Sequence, residues 1–315
     1  MTALLEAQGL TKTFGNGVRA VADVNLAVDA GETLGIVGES GCGKSTTAKM
    51  LLRLLVPDAG GVYFGSQDIT KAKGKRLREL RRRLQVVPQN PQTSLNPRLT
   101  VRASIDFVMR AQGYGRTTRA ARIPELLDRV GLDPSFSARY PHQLSGGQLQ
   151  RVAIARALST EPEVVVCDEA VSALDKSVQA QVLNLLADLQ QELGVAYVFI
   201  SHDLGVVEHI ADRVAVMYLG RIVEEGPAEA LWASPKHPYT QALISATPGS
   251  QTQRIVLSGE LPNPANPPSG CGFRTRCPVA VDRCEVEWPT LAAVAPRHLV
   301  SCVHHRSLVE KAPAT

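Results

Sequence analysis

The sequence predicts an α/β fold with a parallel sheet whose strands end in polar residues. Three observations predict it. Residues 38–45 read Gly-Glu-Ser-Gly-Cys-Gly-Lys-Ser, between a short apolar run at 33–37 and a helical one at 46–55. Strand, glycine turn and helix start together make an anion cradle, because Gly38, Gly41 and Gly43 let backbone N–H groups wrap phosphate oxygens at a positive helix end. Residues 164–167, Val-Val-Val-Cys, form a second buried strand that ends in Asp168 and Glu169, and residues 195–200 form a third that delivers Ser201 and His202. Parallel sheets place their ligands at such carboxyl edges.

The chain of 315 residues carries 44% hydrophobic and 20% charged residues, which is ordinary for a globular protein with a sizeable core. A net charge of +4 and only 4% aromatic residues argue against nucleic acid as a partner. No apolar run reaches the roughly 20 residues of a membrane span, and the opening Met-Thr-Ala-Leu-Leu-Glu lacks the regions of a signal peptide, so the expectation is a cytoplasmic protein. In that compartment the six cysteines are not expected to form disulfides.

Taken in order, residues 4–10 and 18–28 read as strands interrupted by Phe14-Gly-Asn-Gly. Phe14 is a candidate for stacking on a nucleotide base, packing between the strands being its other use. In the loop, Lys44 would reach the outer phosphates and the Ser45 hydroxyl would hold Mg²⁺. Residues 71–83 carry eight Lys or Arg against Glu79, with Leu77, Leu80 and Leu84 at helical spacing. That is an amphipathic helix whose basic face is either simply solvated or drawn to anionic lipid head groups.

The strand at 84–89 ends in Gln89, whose amide can meet a metal or a water near the phosphates. Residues 90–97 are turn chemistry, and 101–130 are helical in pattern, closed by Gly131. Residues 144–148, Leu-Ser-Gly-Gly-Gln, open a long helix and form a second anion cradle at Ser145, Gly146 and Gly147. Asp168 would hold Mg²⁺ through water, and Glu169 could polarise the water that attacks a γ-phosphate. A loop at 172–175 precedes a helix whose core face is Val178, Val182, Leu185, Leu186 and Leu189, ending at Gly194. His202 is either a structural residue or, at its strand end, a ligand contact.

Beyond Trp232 the composition shifts, and the Pro-rich residues 235–270 read as an extended arm. It leads to Cys271, Cys277, Cys284 and Cys302, with five, six and seventeen residues between them. Thiols on a segment too small for its own core suggest that a metal centre supplies its fold. Zinc fits by ligand count, although the two-residue knuckle spacing is missing. The Cys277-Pro278 step is of the kind seen in iron–sulfur proteins, and free thiols are the third reading. Cys42 and Cys167 lie inside the nucleotide motifs as packing residues rather than metal ligands.

From about residue 4 to 230, the phosphate loop, the Gln89 loop, the Leu-Ser-Gly-Gly-Gln signature, Asp168-Glu169, the 172–175 loop and His202 together resemble the ATPase subunits of ATP-binding cassette transporters. The resemblance implies a P-loop NTPase with a RecA-like core in residues 1–230, a helical signature subdomain at about 96–160, and a Cys-containing C-terminal extension over 231–315. It also implies a head-to-tail sandwich of two such domains, each ATP lying between one phosphate loop and the other signature. Gly38, Ser40, Gly41, Cys42, Gly43, Lys44, Ser45 and Thr46 would then line one nucleotide, with Phe14 on its adenine. Ser145, Gly146, Gly147, Gln148 and Asp175 would serve the partner's. Mg²⁺ would be held by Ser45, Gln89 and Asp168, Glu169 would be the general base, and His202 and Lys44 would contact the γ-phosphate.

More narrowly, residues 88–98, 172–186 and the tail from 237 onwards are similar to the second ATPase type of dipeptide and oligopeptide importers. That resemblance implies a [4Fe–4S] cluster on Cys271, Cys277, Cys284 and Cys302. It implies as partners a sister ATPase, two membrane-spanning permease subunits and an extracytoplasmic binding protein, with this chain on the cytoplasmic face of the membrane. Glutathione and nickel chelates are the alternative cargoes. Ala170 stands where the family usually has Pro, and Lys176 where a small apolar residue is common; neither removes a catalytic group. The competing readings are a soluble cassette ATPase acting on ribosomes or DNA, and a cassette that binds ATP chiefly as a structural partner.

Overall fold

A computed structural model describes residues 3–15, 17–247 and 253–305. Residues 1–2, 16, 248–252 and 306–315, which belong to the expected extents 1–230 and 231–315, lie outside the described residues. The chain divides into two compact units: one takes the described residues of 1–28, 33–70 and 201–315, the other residues 29–32 and 71–200.

In the first unit, four antiparallel strands lie in the order Arg19–Val28, Leu5–Thr13, Ala59–Phe64, Gln67–Asp68. Leu5, Ala7 and Leu10 face the core together with Val21, Val24 and Leu26. A second set of strands begins with Thr33–Val37, buried at all five positions as an apolar parallel strand should be. It pairs in parallel with Arg213–Tyr218, which pairs antiparallel with Arg221–Pro227. A C-terminal hairpin, Ala292–Ala295 with His298–Val300, adds its second strand to Arg221–Pro227.

The tail is less extended than the sequence predicts. Its Pro-rich segment contains a helix, Pro238–Ser245, started by His237, whose Nδ1 accepts the Tyr239 N–H at 3.1 Å. Pro238 looks like a breaker in sequence, but at the first helical position it lacks only an N–H that would be unpaired anyway.

The second unit holds three parallel strands, Leu84–Val87, Val164–Asp168 and, except for its last residue, Ala196–Ser201, the middle one pairing with both others. Val101–Ala111, Arg116–Arg129, Gly146–Leu158 and Lys176–Leu193 are its main helices. The helical pattern over 101–130 is thus two helices, parted at Gly113-Tyr114-Gly115, where Tyr114 turns its hydroxyl to the Thr160 carbonyl at 3.1 Å. The basic stretch forms the helix Gly74–Arg83 with Leu80 buried, and its last arginine is spent on an ion pair with Glu163. Among the described residues no helix is long and apolar enough to cross a membrane.

Candidate nucleotide site

Each unit carries part of the predicted nucleotide chemistry. In the first, the loop after Thr33–Val37 runs through Gly38 at φ 152° and Gly43 at φ 111° before the helix Lys44–Leu51 begins. A Cβ at Gly38 would meet the Met217 carbonyl and one at Gly43 the Ala20 carbonyl, both rigid backbone. Only glycine lets the loop turn here and still lie against its neighbours. Lys44 is buried, its Nζ donating to the carbonyls of Gly38 at 2.7 Å and Glu39 at 3.0 Å. Thr47 Oγ1 donates to the Gly43 carbonyl at 3.1 Å, and the Gly220 N–H donates to the Cys42 carbonyl at 2.8 Å. Cys42 is buried, and burial pushes its thiol pKa up against the pull of Lys44, as befits a packing residue.

Ser40 is exposed, and Ser45 and Thr46 are half-buried in the first turn of the helix. Phe14 stands at the end of Leu5–Thr13 with 42% of its surface exposed, available for a flat ligand face. His202 is exposed just past the strand end, next to Asp203, which caps the helix Leu204–Ile210.

In the second unit, the strand Val164–Asp168 presents the two acids. Glu169 takes φ 50°, a conformation that side-chain-bearing residues rarely adopt, and its N–H donates to the Ile200 carbonyl at 2.9 Å. Ser172 Oγ donates to the Glu169 carbonyl at 3.0 Å. Gln89 Nε2 donates to Glu169 Oε2 at 2.6 Å, so the structure joins two predicted catalytic residues 80 positions apart in sequence. Cys167, wholly buried beneath them, has its thiol pushed to about 12 by burial and then by Asp168.

The signature opens the helix Gly146–Leu158 with Ser145 as its cap. Ser145 Oγ accepts the Gln148 N–H, and Gln148 Oε1 accepts the Ser145 N–H at 3.0 Å. Gly147 has no room for a side chain against Val178 Cγ1, so the signature packs on the first turn of Lys176–Leu193. Asp175 caps that second helix, its Oδ1 accepting the Val178 N–H at 3.0 Å.

The four tail cysteines, Cys271, Cys277, Cys284 and Cys302, line one small cavity with His237 and Phe273. Burial first, and the neighbouring thiols after it, push Cys271 up to about 11 and raise Cys277 and Cys302 as well. Among the described residues no group of three or more His, Cys, Asp or Glu is placed to hold a metal ion, so the metal expected on these cysteines finds no support there.

Sequence reading missed three residues that bear on the loop. The Glu39 N–H donates to the Tyr239 hydroxyl at 2.9 Å, and the Glu39 carboxylate receives both terminal nitrogens of Arg276, at 2.8 and 3.0 Å. The available signal was Glu39 itself, an acid inside an anion-binding loop.

A family model described as ABC transporter matches residues 21–172, and one described as oligopeptide/dipeptide transporter, C-terminal region, matches 223–284. The "Probable peptide ABC transporter ATP-binding protein y4tS" of Sinorhizobium fredii is 52% identical, covering 95% of this chain and 89% of that protein. The "Oligopeptide transport ATP-binding protein AppF" of Bacillus subtilis is 51% identical, covering 93% and 92%. The chain belongs to the ABC transporter ATP-binding proteins. ATP hydrolysis coupled to transport is accordingly its chemistry.

Solved ABC proteins share the fold. One is cbiO1 from Clostridium perfringens, part of the ABC transporter complex cbiONQ, with a TM-score of 0.68 and 29% identity over 74% of this chain and 92% of that one. Another is the ATP-binding cassette MJ0796 in a dimeric post-hydrolysis state with ADP and Pi, with a TM-score of 0.64 and 31% identity over 71% and 98%. The reading as a soluble ATPase acting on ribosomes or DNA finds no support among these relatives.

Proposed function

We propose that this ABC transporter ATP-binding protein is the ATP-hydrolysing subunit of an importer of short peptides, attached to the cytoplasmic face of the membrane through two permease subunits. The single observation that carries this reading is its likeness, over 93–95% of the chain, to ATP-binding proteins named for peptide transport, cassette and C-terminal region together. A sister ATPase completes a head-to-tail pair, and an extracytoplasmic binding protein supplies the peptide.

In this reading the amides of residues 38–45 and the Lys44 ammonium bind the β- and γ-phosphates, with Phe14 on the base. The oxygen donors Ser45, Gln89 and Asp168 suit a hard cation, and they would hold Mg²⁺, which when bound neutralises phosphate charge. Glu169 accepts a proton from the attacking water; Gln89, already bonded to its carboxylate, sets the orientation. His202 holds the γ-phosphate. Ser145, Gly146, Gly147 and Gln148 take the phosphates bound by the sister subunit, and Asp175, at the head of the next helix, carries the contact across the pair.

The four tail thiols have the donor type of a [4Fe–4S] cluster and line one cavity, which is what supports reading them as its ligands. When bound, the group would supply a brace to a segment with little core of its own.

The test is affinity capture of the tagged chain from gently solubilised native membranes, with all co-purifying proteins identified by mass spectrometry. Two multi-spanning proteins and a second cassette ATPase are expected, with ATP turnover rising when peptide-loaded binding protein is added. A chain recovered without permeases would refute the assignment.

A further inference from the structure

A carboxylate inside a phosphate-binding loop works against the loop's purpose, because it repels the anion the amides are placed to receive. Glu39 is such a carboxylate, between Gly38 and Ser40. Among the described residues the only charged side chain hydrogen-bonded to its carboxylate oxygens is Arg276, in a two-pronged pair in which Arg276 is just 10% exposed. Bidentate, with Glu39 still 27% exposed, this is the stronger form of a carboxylate–guanidinium contact.

Arg276 comes from the turn that carries the cysteines. Cys271, whose N–H donates to the Cys284 carbonyl at 2.8 Å, starts the turn, and Cys277, directly after Arg276, ends it. Within it the Arg276 N–H donates to the Phe273 carbonyl at 2.9 Å. Phe273 is buried against Tyr218 and Tyr239, at ring-centre distances of 5.3 and 5.4 Å. Tyr239 in turn accepts the Glu39 N–H. Glu39 is therefore held at its backbone by Tyr239, on which the turn's Phe273 packs, and at its side chain by Arg276, which lies in the turn between Cys271 and Cys277.

We propose that Arg276 is a positioning residue for the nucleotide: it cancels the Glu39 charge in the phosphate loop, and it makes that cancellation depend on the state of the four-cysteine site. With the turn held, the loop presents only its amides and Lys44 to the phosphates. With the turn released, Glu39 is uncompensated and nucleotide binds more weakly. Coupling of this kind is reciprocal, so bound nucleotide also tightens the binding of whatever the thiols hold. The inference rests on reading residues 38–45 as the nucleotide site and the thiols as a metal site.

The test is the dissociation constant of Mg·ADP for the full-length chain, purified without oxygen, by titration calorimetry, with iron, zinc and sulfide measured on the same samples. Arg276→Ala should weaken ADP about tenfold while leaving metal content at the wild-type level. Adding Glu39→Gln to that variant should restore affinity to within about threefold of wild type, a rescue that mere loss of packing would not produce. Arg276→Lys should fall between them. Cys277→Ser should lose metal, weaken ADP to the level of Arg276→Ala, and be rescued by the same Glu39→Gln.

Unchanged affinity in Arg276→Ala, or no rescue, overturns the role of Arg276. Unchanged affinity in a metal-free Cys277→Ser overturns the coupling alone. A wild-type chain that binds no Mg·ADP overturns the nucleotide reading and this inference with it. One that binds ADP but carries no metal overturns the metal reading and the coupling, and leaves the Arg276 arm to stand or fall by the rescue.

Discussion

Single side chains set the chemistry of the nucleotide site, and Glu169 is the one whose role is most sharply testable. Its positive φ and its bond to Gln89 fix the carboxylate at the strand end, the position that the proposed role as base needs. Glu169→Gln keeps the shape and removes the proton acceptor. ATP turnover in the purified complex should fall by about 10²-fold or more while ATP affinity stays near wild type; near-normal turnover would show that another group is the base. Gly43→Ala tests the loop backbone, since the new methyl would be driven into the Ala20 carbonyl at a φ that disfavours it. Mg·ADP binding should be lost, with about 2 kcal/mol of stability, as read by calorimetry and denaturant titration. At this scale the motif residues were legible because their chemistry is local: glycines, a lysine and paired acids at fixed spacing. The bonds of Gln89 to Glu169 and of Arg276 to Glu39 span 80 and 237 positions, and no spacing rule reaches that far.

Among the elements, the strand Arg221–Pro227 is the seam between cassette and tail. Glu224 on it is wholly buried and accepts from the backbone N–H groups of Lys236 at 2.8 Å and His237 at 2.9 Å, while pairing with His298 Nε2 at 2.7 Å. Burial pushes its pKa up, but these hydrogen bonds outweigh it and hold the folded value below the ordinary 4.5. A carboxyl depressed on folding stabilises the protein above its ordinary pKa, and that contribution is lost as pH falls through the folded value. The thermal midpoint should therefore drop on acidification from about pH 5 to about pH 3. Glu224→Gln should cost about 2–3 kcal/mol at neutral pH and flatten that acid limb; an unchanged limb would place the titration elsewhere. Strands and long helices were legible from their apolar period. The tail helix Pro238–Ser245 and the hairpin Ala292–Val300 were not, because the first hides behind a proline and the second alternates too weakly to outweigh its polar neighbours.

For the molecule as a whole, nucleotide binding and folding are linked. Mg·ADP at 100 times its dissociation constant should add about 2.7 kcal/mol, which for a chain of this length is about 4 °C in thermal midpoint. A scanning-calorimetry shift near zero at saturating nucleotide would mean that the phosphate loop melts independently of the rest. The class of fold and the cassette motifs followed from the sequence because both are written in consecutive residues. The division into units did not, since one of them gathers three separated stretches of chain around shared strands.

The pairing of His298–Val300 with Arg221–Pro227 also orders events during synthesis. The cassette strand leaves the ribosome some seventy residues before its last neighbour, with one edge unpaired and Glu224 lacking the imidazole that completes its hydrogen bonds. Until the hairpin arrives, the nascent chain shows a sticky edge of the kind that recruits other strands. A chain cut short between residues 228 and 291 would thus keep every cassette motif and yet leave this strand edge unpaired, open to chaperones and proteases.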